Sequence, residues 1–152
     1  MKITELIPAS RLDAMQAQIR EFAAGFGIKD MKTSGWLPNT RRAIAIAEFA
    51  REKGKLEEFR ETAMVAYWRN GKNLEDDKDL RGISRKSGLD PAAALKAADD
   101  PVYLGRVDDL ISEAVEMRVT GIPTFFIGDF RIVGCQPYEV IAGAARKAGG
   151  KK

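Results

Sequence analysis

The chemistry open to this chain turns on one sulfur atom. Cys135 is the sole cysteine among 152 residues, and histidine is absent altogether. Without histidine the chain lacks the commonest general base, nucleophile partner and nitrogen metal ligand, which excludes Cys-His and Ser-His hydrolases. A thiol becomes a good nucleophile when its pKa is lowered, and Cys135 stands two residues ahead of Pro137, where a helix is expected to begin and its dipole would favour the thiolate. Dithiol catalysis also needs a second thiol to resolve the mixed disulfide, and none is present. Cys135 is therefore read as a small side chain buried at a strand end, behaving as a weak hydrophobe. A reactive thiol is the alternative reading.

Two other groups invite chemistry. The run Glu75-Asp76-Asp77-Lys78-Asp79 has the charge for a cation, but it lacks the glycine and terminal glutamate of a calcium loop. Acids at this density suit a helix start, where the dipole stabilises each by a few tenths of a kcal/mol, so no metal site is expected. Tyr67 and Trp68 are adjacent, and on a helix their rings point about 100° apart. One is expected to pack into a core and the other to line an edge or groove. Trp36, in the connection before Pro38, is read as a cover for the core.

Residues 119–138 are the one stretch that reads clearly as sheet. Thr124-Phe125-Phe126-Ile127 is a short aromatic and β-branched strand, and Phe130-Arg131-Ile132-Val133 is its return. Gly128-Asp129 between them is a two-residue hairpin connection, since glycine tolerates positive φ at the first turn position. Pro123 belongs at a strand start or edge, because it cannot donate to a ladder. Local sequence leaves the Ile122–Pro123 bond open between cis and trans. Pro137 suits the first turn of the last helix, with Val140, Ile141 and Ala144 covering one face of the sheet, and the final Gly149-Gly150-Lys151-Lys152 is expected to fray.

Everything before the hairpin reads mostly as helix. Ser10 and Asp13 resemble a capping box, followed by a packing stripe of Leu12, Met15, Ile19, Phe22 and Phe26 that stops at Gly25 and Gly27. Asn39 or Thr40 caps the next helix, which turns Ile44, Ala47 and Ala50 inward and presents Arg41, Arg42, Glu48, Arg51 and Glu52 to solvent as far as Gly54. Leu56, Phe59, Ala63, Ala66 and Tyr67 mark a third helix, ending near Asn70-Gly71. A fourth starts at the acidic run and continues through Leu80 and Ile83 to Gly88. Asp90-Pro91 and Asp99-Asp100-Pro101 each place a cap before a proline and open two more. The second of these carries Leu104, Val107, Leu110, Ile111, Ala114, Val115 and Met117 on a broad apolar face. Residues 2–7 alternate weakly and could form a short strand.

Gly-Ile-Pro-Thr, an apolar strand, Gly-Asp, a second strand and then Gly-Cys-Gln-Pro-Tyr-Glu resembles the C-terminal part of DsbA-like thioredoxin-fold proteins, especially the FrnE-like branch. The segments Pro-Asn-Thr-Arg-Arg-Ala and Ala-Arg-Glu-Lys-Gly-Lys (38–43 and 50–55) resemble the helical insertion of that branch. The similarity runs from about residue 11 to 145. It implies an α/β, truncated thioredoxin-like (DsbA-type) fold in a single domain, with a helical insertion over 9–118 and a C-terminal ββα unit over 119–148. It further implies a cis proline at Pro123, with Gly121, Ile122, Pro123 and Thr124 forming a loop that binds a substrate or partner. The sequence departs from the family in one respect: nothing matches the Cys-X-X-Cys unit that precedes the insertion. No catalytic residue is therefore assigned, and a redox-inactive or truncated relative binding a partner through the proline loop is expected. The alternative is a glutathione-dependent isomerase or oxidoreductase of the kappa-class type, with glutathione as its cofactor. Without the family's first strand, the strand 124–127 would expose an edge that residues 2–7 or a second copy of the chain could pair with.

Composition narrows the setting. The chain is 45% hydrophobic and 31% charged, with a formal net charge of +3, and its cations are scattered among acids. That is the balance of an ordinary globular domain and not the footprint of a nucleic-acid binder. No run approaches membrane-spanning length. Glu5 and Pro8 interrupt the place where a secretory apolar core would lie, so no signal peptide is expected. A single cysteine favours a reducing compartment, the cytoplasm.

Overall fold

Helix-capping and small-residue packing build the larger part of the structure, a computed structural model that describes residues 1–32 and 34–149. Seven helices and two strands are defined among the described residues. The chain divides into two units, Met1–Asp108 and Asp109–Lys152.

The first unit is organised by four helices: α2 (Arg41–Glu52), α3 (Leu56–Trp68), α4 (Asp77–Lys86) and α5 (Pro91–Ala98). Helix α2 packs on α3 and α5, and α4 packs on the same two, so the four enclose one core. Its centre is Ile46, Phe59, Leu80, Ile83 and Leu95, with Ala43, Ala50, Ala63, Ala66, Ala94 and Ala98 between them. Alanine costs no side-chain entropy in a helix and lets helix axes approach closely, which is how helices this short bury a common interior. The caps are the expected ones. Asp76 accepts from the Asp79 N–H at 3.0 Å and Asp90 from the Ala93 N–H at 2.7 Å, each satisfying an otherwise orphaned donor. The acidic run is thus a helix start.

Several faces differ from the periodicity reading. In α2 it is Ile46 and Phe49 that are buried, while Ile44 is exposed; Ala47 is partly buried against the core. Glu48 is buried rather than solvated, and Arg51 reaches it at 3.1 Å from the adjacent turn. Arg42 is also more than surface charge. It forks onto Asp99 at 2.8 and 2.9 Å and reaches Asp77 at 2.7 Å, tying α2 to the start of α4 and the end of α5. Thr40 is the residue before α2 but makes no side-chain cap; Asn39 accepts from the Arg41 N–H at 3.0 Å instead. Buried Ser84 and Ser87 donate back to the carbonyls of Leu80 and Ile83, both at 2.8 Å, so neither hydroxyl is left unpaired.

Helix α1 (Ala9–Gly25) starts earlier than the capping box suggests, with Pro8 as its flanking residue and Ser10 inside the helix. Of its apolar stripe only Leu12 is buried; Met15 is partly covered, whereas Ile19, Phe22 and Phe26 are exposed. Phe22 and Phe26 instead meet edge to face at 5.1 Å, one turn apart. Residues 2–7 do not form the expected strand. Ile3–Glu5 is a 3₁₀ turn, Lys2 bridges to Trp36, and the Ile3 N–H donates to Gly35 O at 3.0 Å. The Tyr67 hydroxyl pins the same segment by donating to Trp36 O at 2.9 Å. Tyr67 packs on the core, and Trp68 lines an open cleft with Ile28, Met31 and Met64.

Asp79 links acid chemistry to stability. Burial disfavours its charge, yet the Asn73 N–H at 2.9 Å and Lys72 at 2.9 Å more than offset that, holding its carboxyl below the usual carboxylate range. A depressed folded-state pKa contributes stability above the unfolded value, lost as pH falls through the folded one. Stability is therefore expected to drop as pH falls below about 4. In urea titrations Asp79→Asn should cost about 1–2 kcal/mol at neutral pH and flatten that drop. An unchanged acid limb in the variant would rule this out.

Helix α6 (Pro101–Glu116) begins in the first unit, where Tyr103 and Arg106 both bind the Glu52 carboxylate, and continues into the second. Val107 is buried, but Leu110, Ile111, Val115 and Met117 are exposed, so the broad apolar face is only partly used. After it, Arg118 takes a positive φ of 54°, the left-handed position more often given to glycine. The second unit then consists of β1 (Thr124–Ile127), β2 (Phe130–Val133) and α7 (Tyr138–Lys147). The strands pair antiparallel, Thr124 opposite Val133 and Ile127 opposite Phe130. Gly128 supplies the expected positive φ, 55°, in the two-residue turn. Helix α7 starts one residue later than expected, with Pro137 flanking it rather than in its first turn, and Ala144 is its buried residue while Val140 is exposed. The expectation of fraying at residues 150–152 lies outside the described residues.

Candidate functional site

The candidate loop is the chain's entry into β1. The Ile122–Pro123 peptide bond is cis. Thr124 turns its hydroxyl back onto the Gly121 carbonyl at 2.6 Å, and the Gly134 N–H donates to Pro123 O at 2.7 Å. These two bonds close the loop on itself and onto the end of β2. Gly121 is held so near β2 that a Cβ there would sit 3.2 Å from Val133 Cγ1, which explains the small residue. Gln136 adds a further clasp, donating to Val133 O at 3.0 Å, and the Arg131 guanidinium donates to Arg118 O. The four predicted loop residues thus form one unit with residues 133–136.

What the loop leaves exposed matters as much. Ile122 is 89% exposed, a large apolar side chain at the tip with Pro123 partly covered behind it. In the β1–β2 pair the residues flanking the turn, Ile127 and Phe130, exchange hydrogen bonds, and bonded pairs alternate along an antiparallel ladder. Thr124 and Phe126 therefore turn their backbone N–H and C=O away from β2. Among the described residues the sheet contains only these two strands, so that outer edge of β1 is unpaired. Phe126 adds an exposed ring beside it. The arrangement can accept an extended chain by backbone hydrogen bonding, with apolar side chains on either side.

Cys135 follows Gly134, at the hairpin end that carries the proline loop. It is a free and solvent-exposed thiol. The buried reading of this residue is corrected: β2 ends at Val133, and the turn through Gly134 carries the next side chain out of the sheet instead of under it. Its accessibility admits attack of the Cys135 thiolate on an external disulfide, forming a mixed disulfide and releasing the other thiol, while a second cysteine is lacking in the chain. Among the described residues no three His, Cys, Asp or Glu side chains are grouped to hold a metal ion. No helix among them is long and apolar enough to cross a membrane.

Comparison with known proteins gives this geometry a context. The chain aligns with an uncharacterized protein of Bacillus subtilis (strain 168), YwbO, at 29% identity over 104 residues, 68% of this chain and 52% of that protein. Its fold matches the crystal structure of a probable DsbA oxidoreductase, SCO1869, from Streptomyces coelicolor with a TM-score of 0.83 at 22% identity, covering 99% of this chain and 65% of the other. The chain thus spans about half the length of the one relative and about two thirds of the other. The sequence model of the DSBA-like thioredoxin domain matches residues 2–146, nearly the whole chain. With its helices and C-terminal hairpin in the fold of a probable DsbA oxidoreductase, this chain belongs to the DSBA-like thioredoxin domain family.

Proposed function

We propose that this chain is a member of the DsbA-like oxidoreductase family that lacks dithiol activity of its own, sits closest to the FrnE-like branch, and binds an extended polypeptide at its proline loop. The observation that carries the reading is the exposed Ile122 next to an edge strand whose Thr124 and Phe126 backbone groups are unpaired by β2. A peptide strand added there would gain main-chain hydrogen bonds, and Ile122, Pro123 and Phe126 would contact its side chains. The same edge can serve a second copy of the chain. The absence of a second cysteine supports the inactive half of the proposal, since a single thiol forms a mixed disulfide but cannot resolve it. One cysteine also suits a reducing compartment, the cytoplasm.

Two measurements test this together. In an insulin-reduction assay with dithiothreitol, the protein should add no more than background, and Cys135→Ser should change nothing. Acceleration that disappears in Cys135→Ser would overturn the inactive reading. In a binding titration with carboxymethylated lactalbumin as an unfolded probe, Ile122→Glu should weaken affinity roughly tenfold by placing charge at the apolar tip. Equal affinity in that variant would move the binding surface elsewhere. Glutathione titrated in parallel, with saturable binding and isomerase turnover, would favour the kappa-class alternative. Light scattering separates a peptide-binding monomer from a dimer joined through β1.

A further inference from the structure

Helix α4 spends one face on the core, with Leu80, Ile83 and Ser84 buried. On the opposite side stand Lys78, Arg81, Gly82, Arg85 and Lys86, the i, i+3, i+4, i+7, i+8 spacing of a continuous helical stripe. These residues line an open cavity of roughly 670 Å³ together with Lys72, Thr62, Ala66 and Ile83. Two acids also border it, but both are engaged: Asp77 pairs with Arg42 at 2.7 Å, and Asp79 with Lys72 at 2.9 Å. Among the described residues, none of Lys78, Arg81, Arg85 and Lys86 has an acid within ion-pairing distance.

Local stability does not account for this face. Like charges three and four residues apart repel one another on a helix. Lys78 and Arg81 lie in its first half, where the dipole disfavours cations; only Arg85 and Lys86 are at the favourable end. Glycine is among the poorest residues for a helix interior. Packing does not demand it either, because a Cβ at Gly82 would meet nothing within 4 Å. A bare turn framed by unpaired cations is what an anion needs to reach the helix closely. From Lys78 to Lys86 the stripe runs about 12 Å at the helical rise, room for two anionic groups but short for a nucleic-acid strand. The aliphatic stems of Lys72, Lys78, Arg81 and Lys86 supply apolar surface, and Thr62 a hydroxyl.

We propose that the α4 stripe and Lys72 form a binding site for a small molecule carrying two or more phosphate or carboxylate charges on a partly apolar body. The site is independent of the proline loop, and it stands or falls without it. Isothermal titration with adenosine diphosphate and with inorganic pyrophosphate, at low and moderate salt, tests it on the intact chain. Both probes should bind saturably, adenosine diphosphate more tightly, with affinity falling as salt rises. The double variant Arg81→Gln/Arg85→Gln should lose roughly tenfold or more in affinity. Gly82→Ala should melt at a higher temperature yet bind several-fold more weakly, a combination that a purely structural glycine would not give. Arg60→Gln, an exposed cation outside the cavity, should leave affinity unchanged. The proposal is overturned if neither probe binds, if Arg60→Gln loses as much as the double variant, or if Gly82→Ala binds like the parent. Tighter capture of a single-stranded oligonucleotide with the same sensitivity would overturn the small-molecule assignment.

Discussion

Phe59→Ala is expected to destabilise the protein by about 3–5 kcal/mol, the range for deleting a buried aromatic. Phe59 is 2% exposed and is the largest of the fully buried side chains, sharing its cluster with Ile46, Leu80 and Leu95. The same cluster contains Ala43, Ala50, Ala63, Ala66, Ala94, Ala97 and Ala98, whose side chains are fixed to helix backbones and cannot swing in to fill the space. The cavity should persist, which pushes the cost to the upper part of the range. A domain of this size has about 5–15 kcal/mol of stability in all, so the variant should sit near the edge of folding at room temperature. Urea unfolding followed by far-ultraviolet circular dichroism measures this directly. The control is Ile44→Ala, a similar loss of apolar volume at an exposed position of α2, which should change stability by less than about 0.5 kcal/mol. If the two variants behaved alike, the placement of Ile46 and Phe49 rather than Ile44 on the inner side of α2 would be wrong.

The second large effect is expected in the hairpin. Gly128→Val should cost about 2–4 kcal/mol locally, from two separate sources. The backbone there has φ of 55°, which a β-branched residue adopts only at considerable cost. The new Cβ would also stand 2.9 Å from the Cβ of Ala148, at the end of α7, so that helix end or the turn must shift. Both sources act on the elements that hold Gly121, Pro123 and Gly134 together. Hydrogen exchange should show lost protection across residues 124–147 while α2 to α5 keep theirs. Gly128→Asn separates the sources, because asparagine tolerates the left-handed region and leaves mainly the close contact with Ala148. Full retention of protection in Gly128→Val would contradict the observed turn.

Local chemistry was legible wherever one residue decides a local geometry. The hairpin turn at Gly128, the caps at Asp76 and Asp90, and the helix stops marked by Gly27, Gly54, Gly71 and Gly88 all follow from backbone preferences that neighbouring residues do not override. The place of Pro123 at a strand start follows from its missing N–H, while the binding loop rests on the family resemblance, carried by residues 121–139 together with 38–43 and 50–55. The cationic stripe of α4 was present in the spacing of Lys78, Arg81, Arg85 and Lys86 but hidden by the adjacent acids. Only the partners of Asp77 and Asp79 show those acids to be already neutralised.

Which apolar side chains are inside was a different matter. The stripes of α1 and α6 have the period of buried faces, yet Phe22, Phe26, Ile111 and Val115 are exposed, and in α2 the inward set is shifted from Ile44 to Ile46 and Phe49. Glu48 and Cys135 exchanged their expected places for the same reason: one was buried beside Arg51, the other carried out by the turn at Gly134. Periodicity in a sequence determines that a helix has an apolar side. It does not determine what is available to cover that side, because burial depends on which other elements arrive and from which direction. For this protein the sequence alone determined the order of elements, their caps and turns, and the single thiol among its 152 residues. The tertiary structure decided which faces meet, which charges are paired, and therefore which surfaces are left to bind.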